Sequence, residues 1–387
     1  VKYENVYAPA PWTLPSHVSM FTGMYPSEHG VHETKDSNAL NLVTPSRIKM
    51  VKSEGGILGV LKASNYTTYI ISANSFITST YGFYSDEQYF IDPLTERIFD
   101  SKALKLDIMM TIYQSRTKIL QKLLKESQYK EIAEGIKLYF KRRLSRVYML
   151  PKYISEKYVM KKGGSAIKKL IAYLKLDEPY FLFINIFVAH PPYTKNDLRE
   201  KRLLSYVNQW LVTGEIDPNA LKLWKNYPLH AKEATKIALE LVHQIKRKGN
   251  WDNTLIIITS DHGELLGDGG LHHVYSLLDG NLRVPLYVKY TGKPKKQKGY
   301  LSLIDIPRLI DPNSEEIGRR IIFAETYGIH YSPTGKWSSY INDKHYHHKI
   351  RVITTKYDFI YNNTEKRIEK IFKGDLQNLK SDLTKIL

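Results

Sequence analysis

The chain has 387 residues, enough to bury a substantial core in one large or two modest domains. It contains no cysteine, which excludes disulfides, thiolate metal ligands and a cysteine nucleophile. Its net charge of +18 favours anionic substrates, membrane headgroups or non-specific contact with nucleic acid. No apolar run approaches the roughly 18 residues of a transmembrane helix, and no signal peptide is recognisable. We therefore expect a cytoplasmic protein, with a peripheral membrane or extracytoplasmic location as alternatives.

The N-terminal stretch predicts a short strand over 2–8, then a proline-rich loop and a helix that begins just after Thr13. Pro15 suits the first turn of a helix, because its φ is fixed and it has no N–H to lose. Thr13 would then lie beside free backbone donors at the positive end of the helix dipole, where an anion binds readily. Two interpretations stay open: Thr13 is a hydroxyl nucleophile facing a phosphate-like group, or it only caps the helix.

Alternating helices and strands predict an α/β core. Apolar residues at helical spacing over 57–62 precede a β-branched strand over 66–72, which is an αβ unit of a mostly parallel sheet. Near-continuous apolar runs favour buried parallel strands at 179–188, 254–260 and 283–288. Further elements are predicted as helices over 230–247 and from 302, and as a strand over 320–325.

Two regions differ from this pattern. Over 101–175, Lys and Arg alternate with apolar residues at helical spacing, which predicts amphipathic helices. Their basic face is either solvated or in contact with a polyanion or a membrane surface. Beyond about 330, tyrosine-rich alternation predicts antiparallel hairpins and then a helix near 376–387. We therefore divide the chain into an α/β domain over 1–328, with 101–175 as an insertion, and a C-terminal antiparallel subdomain over 329–387.

An Asp–His pair follows one of the predicted buried strands. In open α/β sheets, ligands bind outside the carboxyl ends of the strands, which is where Asp261 and His262 lie. Both can reach one metal ion if the chain turns sharply, and Gly263 permits such a turn. Mixed oxygen and nitrogen ligands suit Zn²⁺ or Mn²⁺ better than Ca²⁺. The alternative is a helix N-cap next to a surface histidine.

Three more histidines follow predicted strands or loops. His190 is followed by two prolines that fix its loop, which favours a site residue over a hydrogen-bonded structural histidine. His272 and His273 follow the glycine-rich run 267–270, which we expect to be a mobile loop. Such a loop could bring a proton donor to a leaving group, unless both side chains are exposed to solvent.

Several motifs together resemble the sulfatase-like branch of the alkaline phosphatase superfamily. They are Trp12-Thr13-Leu14-Pro15-Ser16-His17 and residues 21–30, 252–264 and 282–286, in matching order and spacing over roughly 1–325. The tyrosine-rich tail is similar to that family's small C-terminal antiparallel sheet. The resemblance implies a doubly wound, mostly parallel α/β fold, and hydrolysis or transfer at a sulfuric, phosphoric or phosphonic ester through a covalent intermediate on Thr13.

The resemblance also implies roles for individual residues. Asp261 and His262 correspond to metal ligands, His190 to a substrate-contacting histidine, and His273 to the position of a leaving-group donor or its neighbour. The expected site residues are Thr13, His190 and His273 for catalysis, Ser16, His17 and His272 for substrate binding, and Asp261 and His262 for the metal. We expect one divalent metal ion, with Mn²⁺ or Zn²⁺ favoured and Ca²⁺ or Mg²⁺ as alternatives.

Departures from the family pattern narrow the chemistry. Thr13 stands where sulfatases carry a Cys or Ser that is oxidised to formylglycine, and threonine cannot yield that aldehyde. His17 stands where sulfatases usually have Arg, and Ile186 stands where two-metal phosphodiesterases have an Asp, which favours a single-metal site. The family's first strand carries Asp metal ligands before this point, so we expect the natural N-terminus to lie upstream of Val1.

The expected function is a metal-dependent ester hydrolase that acts on an anionic small molecule or on a glycan or lipid ester. Phosphoester or phosphonate chemistry is favoured over ordinary sulfatase activity because of Thr13. One alternative is transfer of a phospho-alcohol group to a glycan or lipid. The other is an inactive relative whose basic helices bind a polyanion or a membrane surface. No specific nucleic-acid partner is expected.

Overall fold

The structure is a computed structural model, and the residues that it describes are 1–33, 56–74, 76–78, 81–93, 96–100, 162–191, 193, 198–249, 251–273, 275–329 and 346–386. The chain divides into two compact units. The first unit comprises Val1–Ser64, Leu204–Trp224 and Ile245–Leu387, and the second comprises Asn65–Leu203 and Lys225–Gln244.

The strands in the described ranges follow in chain order: β1 (Lys2–Tyr3), β2 (Val6–Tyr7), β3 (Thr67–Ser72), β4 (Glu87–Ile91), β5 (Ile98–Asp100), β6 (Tyr180–Asn185), β7 (Ile256–Thr259), β8 (Leu265–Leu266), β9 (Leu271–His272), β10 (Leu286–Lys289), β11 (Lys296–Gln297), β12 (Leu301–Ser302), β13 (Glu316–Ile317), β14 (Ile321–Thr326), β15 (Lys349–Thr354), β16 (Asp358–Asn362) and β17 (Arg367–Lys373).

The helices there are α1 (Thr13–Thr22), α2 (Pro26–His29), α3 (Ile57–Ala63), α4 (Gly164–Tyr173), α5 (Leu198–Thr213), α6 (Pro218–Trp224), α7 (Tyr227–Lys248), α8 (Asp279–Leu282), α9 (Ile306–Ile310) and α10 (Leu376–Ile386). Two 3₁₀ turns cover Phe187–Ala189 and Leu303–Asp305. This mixture of helices and sheets is an α/β fold with a C-terminal antiparallel sheet, as predicted.

The second unit contains a four-stranded sheet in the order β5-β4-β3-β6. β3 pairs in parallel with β4 and β6, so that Ser72 and Asn185 lie opposite each other at the carboxyl ends of their strands. β5 closes the other edge in antiparallel pairing with β4. The predicted strand over 66–72 and its parallel neighbour are confirmed.

The first unit places β7 in a three-stranded sheet in the order β1-β10-β7. All pairings in this sheet are antiparallel, which corrects the prediction of a parallel strand over 283–288. An apolar run fits a buried strand of either direction, so periodicity alone could not decide. The predicted strand over 2–8 is two short strands instead, separated at Asn5, whose φ is +51°.

The two strands that lead to the predicted site residues are less buried than expected. Every residue of β6 and of β7 is half-buried. Each strand lies at the edge of its sheet among the strands that the structure describes. The expectation of fully buried strands is therefore wrong at both places.

The C-terminal sheet has the order β14-β15-β16-β17, with antiparallel pairing throughout. Its core is made by side chains of β15, β16 and α10, with the buried residues Val352, Tyr357, Phe359, Tyr361 and Leu379. The predicted hairpins and terminal helix are confirmed. The sheet begins at β14, before the proposed boundary at 328.

Some predictions concern residues outside the described ranges. Most of the basic helices expected over 101–175 lie outside the described ranges. Within this segment the structure describes residues 162–175, which include α4. Among the residues described, no helix has both the length and the apolar character needed to cross a membrane.

Candidate active site

Thr13 is the first residue of α1 and is buried. The N-cap position belongs to Trp12, in an extended conformation, and no side chain caps the helix. The interpretation of Thr13 as a simple cap is therefore wrong. Its Oγ1 lies instead 3.3 Å from His262 Nε2, which belongs to the loop that follows β7. The helix start and the end of this strand meet at a hydroxyl and an imidazole.

Gly263 fixes the loop that carries Asp261 and His262. Its N–H donates to the carbonyl of Asn281 at 2.7 Å. A Cβ on Gly263 would lie 2.0 Å from the carbonyl oxygen of Gly280, so no other residue fits without moving the backbone. The glycine is required here by this close approach of two backbone segments, in addition to the freedom of turning that the sequence predicted.

The tautomer of His262 follows from its hydrogen bonds. Its Nδ1 lies 2.8 Å from the carbonyl oxygen of Gly263, which can only accept, so Nδ1 carries the proton and donates. In the neutral ring, Nε2 then presents a lone pair, and it lies 3.4 Å from Asp261 Oδ2. Histidine metal ligands are commonly oriented by such a bond from the second ring nitrogen.

Ser16 and His17 join α1 to this strand end. Ser16 Oγ donates to the carbonyl of Asp261 at 2.5 Å, and His17 Nδ1 donates to the carbonyl of Thr13 at 2.9 Å. His17 Nδ1 also lies 3.4 Å from Asp261 Oδ2. Burial lowers the pKa of His17, against the opposing effect of Asp261. The substrate contacts expected of Ser16 and His17 stay a prediction.

The Asp261 carboxyl is favoured in its charged form. Burial on its own would raise its pKa, but the neighbouring His262 and His17 rings and backbone N–H donors keep the pKa below its ordinary value. A charged carboxylate is the form that binds a metal ion. Asp261 and His262 thus present one oxygen and one nitrogen donor 3.4 Å apart, and the nitrogen lies 3.3 Å from Thr13 Oγ1.

A short hairpin brings a second acid and two histidines to the same place. β8 and β9 pair so that Leu265 lies opposite His272, and the glycine-rich run is the turn between them. His273 Nδ1 lies 2.6 Å from Glu264 Oε2, and both residues are buried. The rings of His262 and His273 are 4.5 Å apart between centroids. His273 is not solvent-exposed, which removes one of the two alternatives for it.

Two groups of side chains are candidate metal sites. Glu264, His272 and His273 form one group whose donor atoms all lie within 4.8 Å of one another. However, His273 Nδ1 is 2.6 Å from Glu264 and 2.9 Å from His272 Nδ1, which are hydrogen-bond distances. Ligands at about 2.0–2.1 Å from a tetrahedral zinc ion are about 3.3 Å apart. The 3.4 Å between Asp261 Oδ2 and His262 Nε2 fits that spacing better.

His190 belongs to the second unit and follows β6 after the 3₁₀ turn. Its ring stacks on Phe187 at 4.2 Å between centroids, and its Nδ1 donates to the carbonyl of Pro191 at 2.7 Å. The buried Lys162 donates from Nζ to the carbonyl of His190, and to that of Val188 at 3.1 Å. These contacts hold the turn, and the substrate contact of His190 stays a prediction.

The first unit therefore brings together seven of the eight predicted site residues: Thr13, Ser16, His17, Asp261, His262, His272 and His273. Sequence reasoning missed Glu264, although it was part of the quoted strand-end motif, because its contact with His273 depends on the hairpin register. It also missed Trp224, whose Nε1 donates to Glu264 Oε1 at 3.4 Å. The burial of Lys162 was not predicted either, because Lys162 lies in a run of basic residues, which normally indicates a solvent-exposed face.

Comparison with protein families gives one match over most of the chain. The family model described as Sulfatase matches residues 1–310. Proteins of this family generally bind a divalent metal ion. The phosphonate monoester hydrolase of Agrobacterium radiobacter has a similar structure, with a TM-score of 0.55 and 13% identity, over 100% of this chain and 83% of that one. At this identity the likeness shows the fold alone.

Two curated relatives match over shorter segments. The ulvan-active sulfatase of Formosa agariphila is 27% identical over 130 residues, which is 32% of this chain and 25% of that protein. The low-salt glycan biosynthesis sulfotransferase Agl7 of Haloferax volcanii is 33% identical over 110 residues, 26% of this chain and 27% of that protein. The chain thus aligns with only about a quarter of each relative's length.

Proposed function

Because the chain belongs to the sulfatase family, we propose that it is a metal-dependent hydrolase of sulfuric, phosphoric or phosphonic esters with Thr13 as its nucleophile. The observation that carries the proposal is the 3.3 Å contact between Thr13 Oγ1 and His262 Nε2, at the start of a helix and beside the Asp261 carboxylate. Substrate oxygens bound there would meet the free N–H groups of the first turn of α1. The contact thus supports one shared site for the hydroxyl, the bound anion and the metal ion.

The chain's own residues would divide the work as follows. Thr13 Oγ1 attacks the phosphorus or sulfur atom and forms a covalent ester, which water later hydrolyses. His17 holds the Thr13 backbone through its carbonyl, and His273 protonates the leaving oxygen. Asp261 and His262 would hold a divalent ion, which lowers the pKa of the attacking hydroxyl and neutralises charge on the transferring group.

The nucleophile also bears on which ester is used. A threonine side chain cannot be converted to the formylglycine aldehyde on which sulfatases of this family depend. Phosphoric and phosphonic esters are therefore the favoured substrates, and an anionic small molecule or a glycan or lipid ester would suit the net charge of +18. Mn²⁺ or Zn²⁺ is favoured by the mixed oxygen and nitrogen donors.

Transfer is the second candidate function, and the similarity to the sulfotransferase Agl7 supports it. The same covalent intermediate on Thr13 would then pass its group to an alcohol of a glycan or lipid instead of to water. Product analysis with and without an acceptor alcohol separates the two. A product esterified to the acceptor indicates transfer, whereas release of the free acid at the same rate in both samples indicates hydrolysis.

The test of the proposal is Thr13→Ala in the full-length protein, with Thr13→Ser as the matched control. We expect Ala to lower kcat by about 10³-fold or more, because removal of a covalent nucleophile typically costs several orders of magnitude. Ser keeps the hydroxyl and should retain activity within about tenfold. Turnover of aryl phosphate, phosphonate or sulfate esters is the measurement. Substantial turnover by the Ala variant would remove Thr13 from the mechanism.

The inactive alternative predicts a different result. A wild-type protein that turns over none of these esters, but binds a polyanion with an affinity that falls steeply with salt, would favour it. The basic helices on which this alternative depends lie mostly outside the described ranges.

A further inference from the structure

Glu264 is buried directly beside the predicted proton donor. Its carboxylate Oε2 lies 2.6 Å from His273 Nδ1, and its Oε1 accepts from Trp224 Nε1 at 3.4 Å. Both Glu264 and His273 are less than 8% exposed. Burying a carboxylate is costly unless it is hydrogen-bonded, and these two donors compensate that cost. The Glu264 carboxylate thus lies between the His273 imidazole and the Trp224 indole.

The hydrogen bonds fix the tautomer of His273. A carboxylate can only accept, so His273 Nδ1 must carry a proton and donate it to Glu264. The backbone N–H of His273 donates to His272 Nδ1 at 2.7 Å, so the His272 ring accepts at that atom. A protonated His273 ring would then carry its second proton on Nε2, whereas the contact with Glu264 is made by Nδ1.

The hairpin makes this geometry rigid. β8 follows Glu264 directly, β9 ends at His272, and the two strands pair in register. Gly270 permits close packing in this hairpin, because a Cβ there would lie 2.5 Å from the Trp210 ring and 2.8 Å from Leu265. The eight residues between Glu264 and His273 therefore fold back on themselves, so that the side chains of the acid and the histidine meet.

We propose that Glu264 is a positioning residue that holds His273 in the tautomer and orientation needed to protonate the leaving oxygen. This inference rests on the proposed function. As the bond from phosphorus or sulfur to the leaving oxygen breaks, its electron pair stays on that oxygen, which takes the Nε2 proton of His273. Thr13 Oγ1, which has given up its own proton to solvent, forms the new bond to phosphorus or sulfur. The Nδ1 proton stays between His273 and Glu264, whose negative charge stabilises the protonated ring before transfer.

The test compares two leaving groups in Glu264→Gln. Gln has the same shape and can still accept from Trp224, but it lacks the charge. The substrates are p-nitrophenyl phosphate and phenyl phosphate, with the corresponding phosphonate and sulfate pairs. The p-nitrophenolate ion leaves without a proton, whereas the more basic phenolate needs one. We expect kcat/KM to fall about 10- to 100-fold more for the phenyl ester than for the p-nitrophenyl ester.

Two further variants sharpen this comparison. His273→Gln should show the same dependence on leaving group, and Glu264→Gln combined with His273→Gln should be no worse than His273→Gln alone, because the acid acts through the histidine. An equal loss for both leaving groups in Glu264→Gln, or additive losses in the double variant, would overturn the proposal. Thr13→Ala remains the separate test of the proposed function, since its loss should be large for both esters.

A measurement on the wild-type protein covers the case in which Glu264→Gln does not fold. Nitrogen-15 NMR of labelled histidine rings reports which ring nitrogen of His273 carries a proton, in the presence of EDTA and then with added Zn²⁺. We expect a proton on Nδ1 under both conditions. An Nδ1 without a proton in EDTA contradicts the proposal. Loss of the Nδ1 proton when micromolar zinc is added also contradicts it, and assigns the group to a metal ion.

Discussion

The two strand ends that carry predicted site residues differ in what holds their histidines. After β7, the polar side chains contact one another: Thr13 meets His262, and Glu264 meets His273. After β6, the His190 side chain stacks on Phe187 and bonds to its own turn, while the contacts from outside reach backbone carbonyls. At the end of β7, polar side chains orient one another. At the end of β6, hydrogen bonds from Lys162 to backbone carbonyls hold the turn that carries His190.

The difference indicates separate tasks. Groups that orient one another share protons and charge, so a change in one alters the chemistry of the others. A histidine held by its own backbone can contact a substrate without being coupled to a nucleophile. We therefore expect variants at the β7 end to affect the chemical step and variants at the β6 end to affect binding.

Among the changes that would break this comparison, the largest effect is expected of Asp261→Asn, which removes the proposed charged metal donor. We expect about a 100-fold or greater loss of kcat after EDTA treatment and re-addition of Mn²⁺ or Zn²⁺, together with a higher metal concentration for half-saturation. His190→Gln should raise KM and leave that concentration unchanged. Titration of activity with each metal measures both.

The matched control is Asp252→Asn, which removes an exposed carboxylate shortly before β7. It should leave the metal dependence of the wild type intact. Wild-type activity and metal response in Asp261→Asn would contradict the proposed division of tasks between the two strand ends. So would a change in the metal concentration for half-saturation that is as large in His190→Gln as in Asp261→Asn.

A smaller effect is expected from Lys162→Met, which removes the brace beneath the His190 turn. Lys162 Nζ donates to the carbonyls of Val188 and His190 and lies 5.3 Å from the centre of the Tyr193 ring. Its loss leaves buried acceptors without this donor, which costs about 2–4 kcal/mol in the free energy of unfolding. Denaturant unfolding measures the change.

Lys168→Met is the control for this variant, because Lys168 lies on α4 of the same unit and makes a partly exposed ion pair with Glu240 at 2.9 Å. Solvent screens such an exposed pair, so the control should unfold close to the wild type. Equal destabilisation by the two changes would show that Lys162 does not brace the turn.

Local patterns predicted much of this architecture, and long-range pairing accounts for what they missed. The fixed φ of Pro15 located the start of α1, and the contact between Thr13 and His262 is consistent with the predicted, still untested, pair of metal donors Asp261 and His262. The antiparallel direction of β10 could not be read from its apolar residues, since those fit either direction. Glu264 was missed because its nine-residue separation from His273 has meaning only once the hairpin register is known. Lys162 was missed because basic runs predict solvated faces.

The smallest effect concerns Glu33, a buried acid close to Trp12, the residue before Thr13. Burial raises the pKa of Glu33 to about 8. An unfolded glutamate has a pKa of about 4.3, so between these values the folded state holds a proton that the unfolded state has lost. The resulting stability is complete below about pH 4.3 and is lost as the pH rises through about 8.

Glu33→Gln removes this titration and keeps the side chain neutral. We expect the stability of the variant relative to the wild type to increase by about 2 kcal/mol between pH 5 and pH 6.5, since each pH unit between the two pKa values changes the free energy of unfolding of the wild type by up to about 1.4 kcal/mol. Thermal unfolding of both proteins across this range measures the difference, and Glu28→Gln, at the first turn of α2, is the control for a change of charge alone. Parallel stability curves would mean that Glu33 is charged in the folded protein. A growing advantage of Gln at high pH would mean that a neutral acid packs against Trp12, next to the hydroxyl that we propose attacks the substrate.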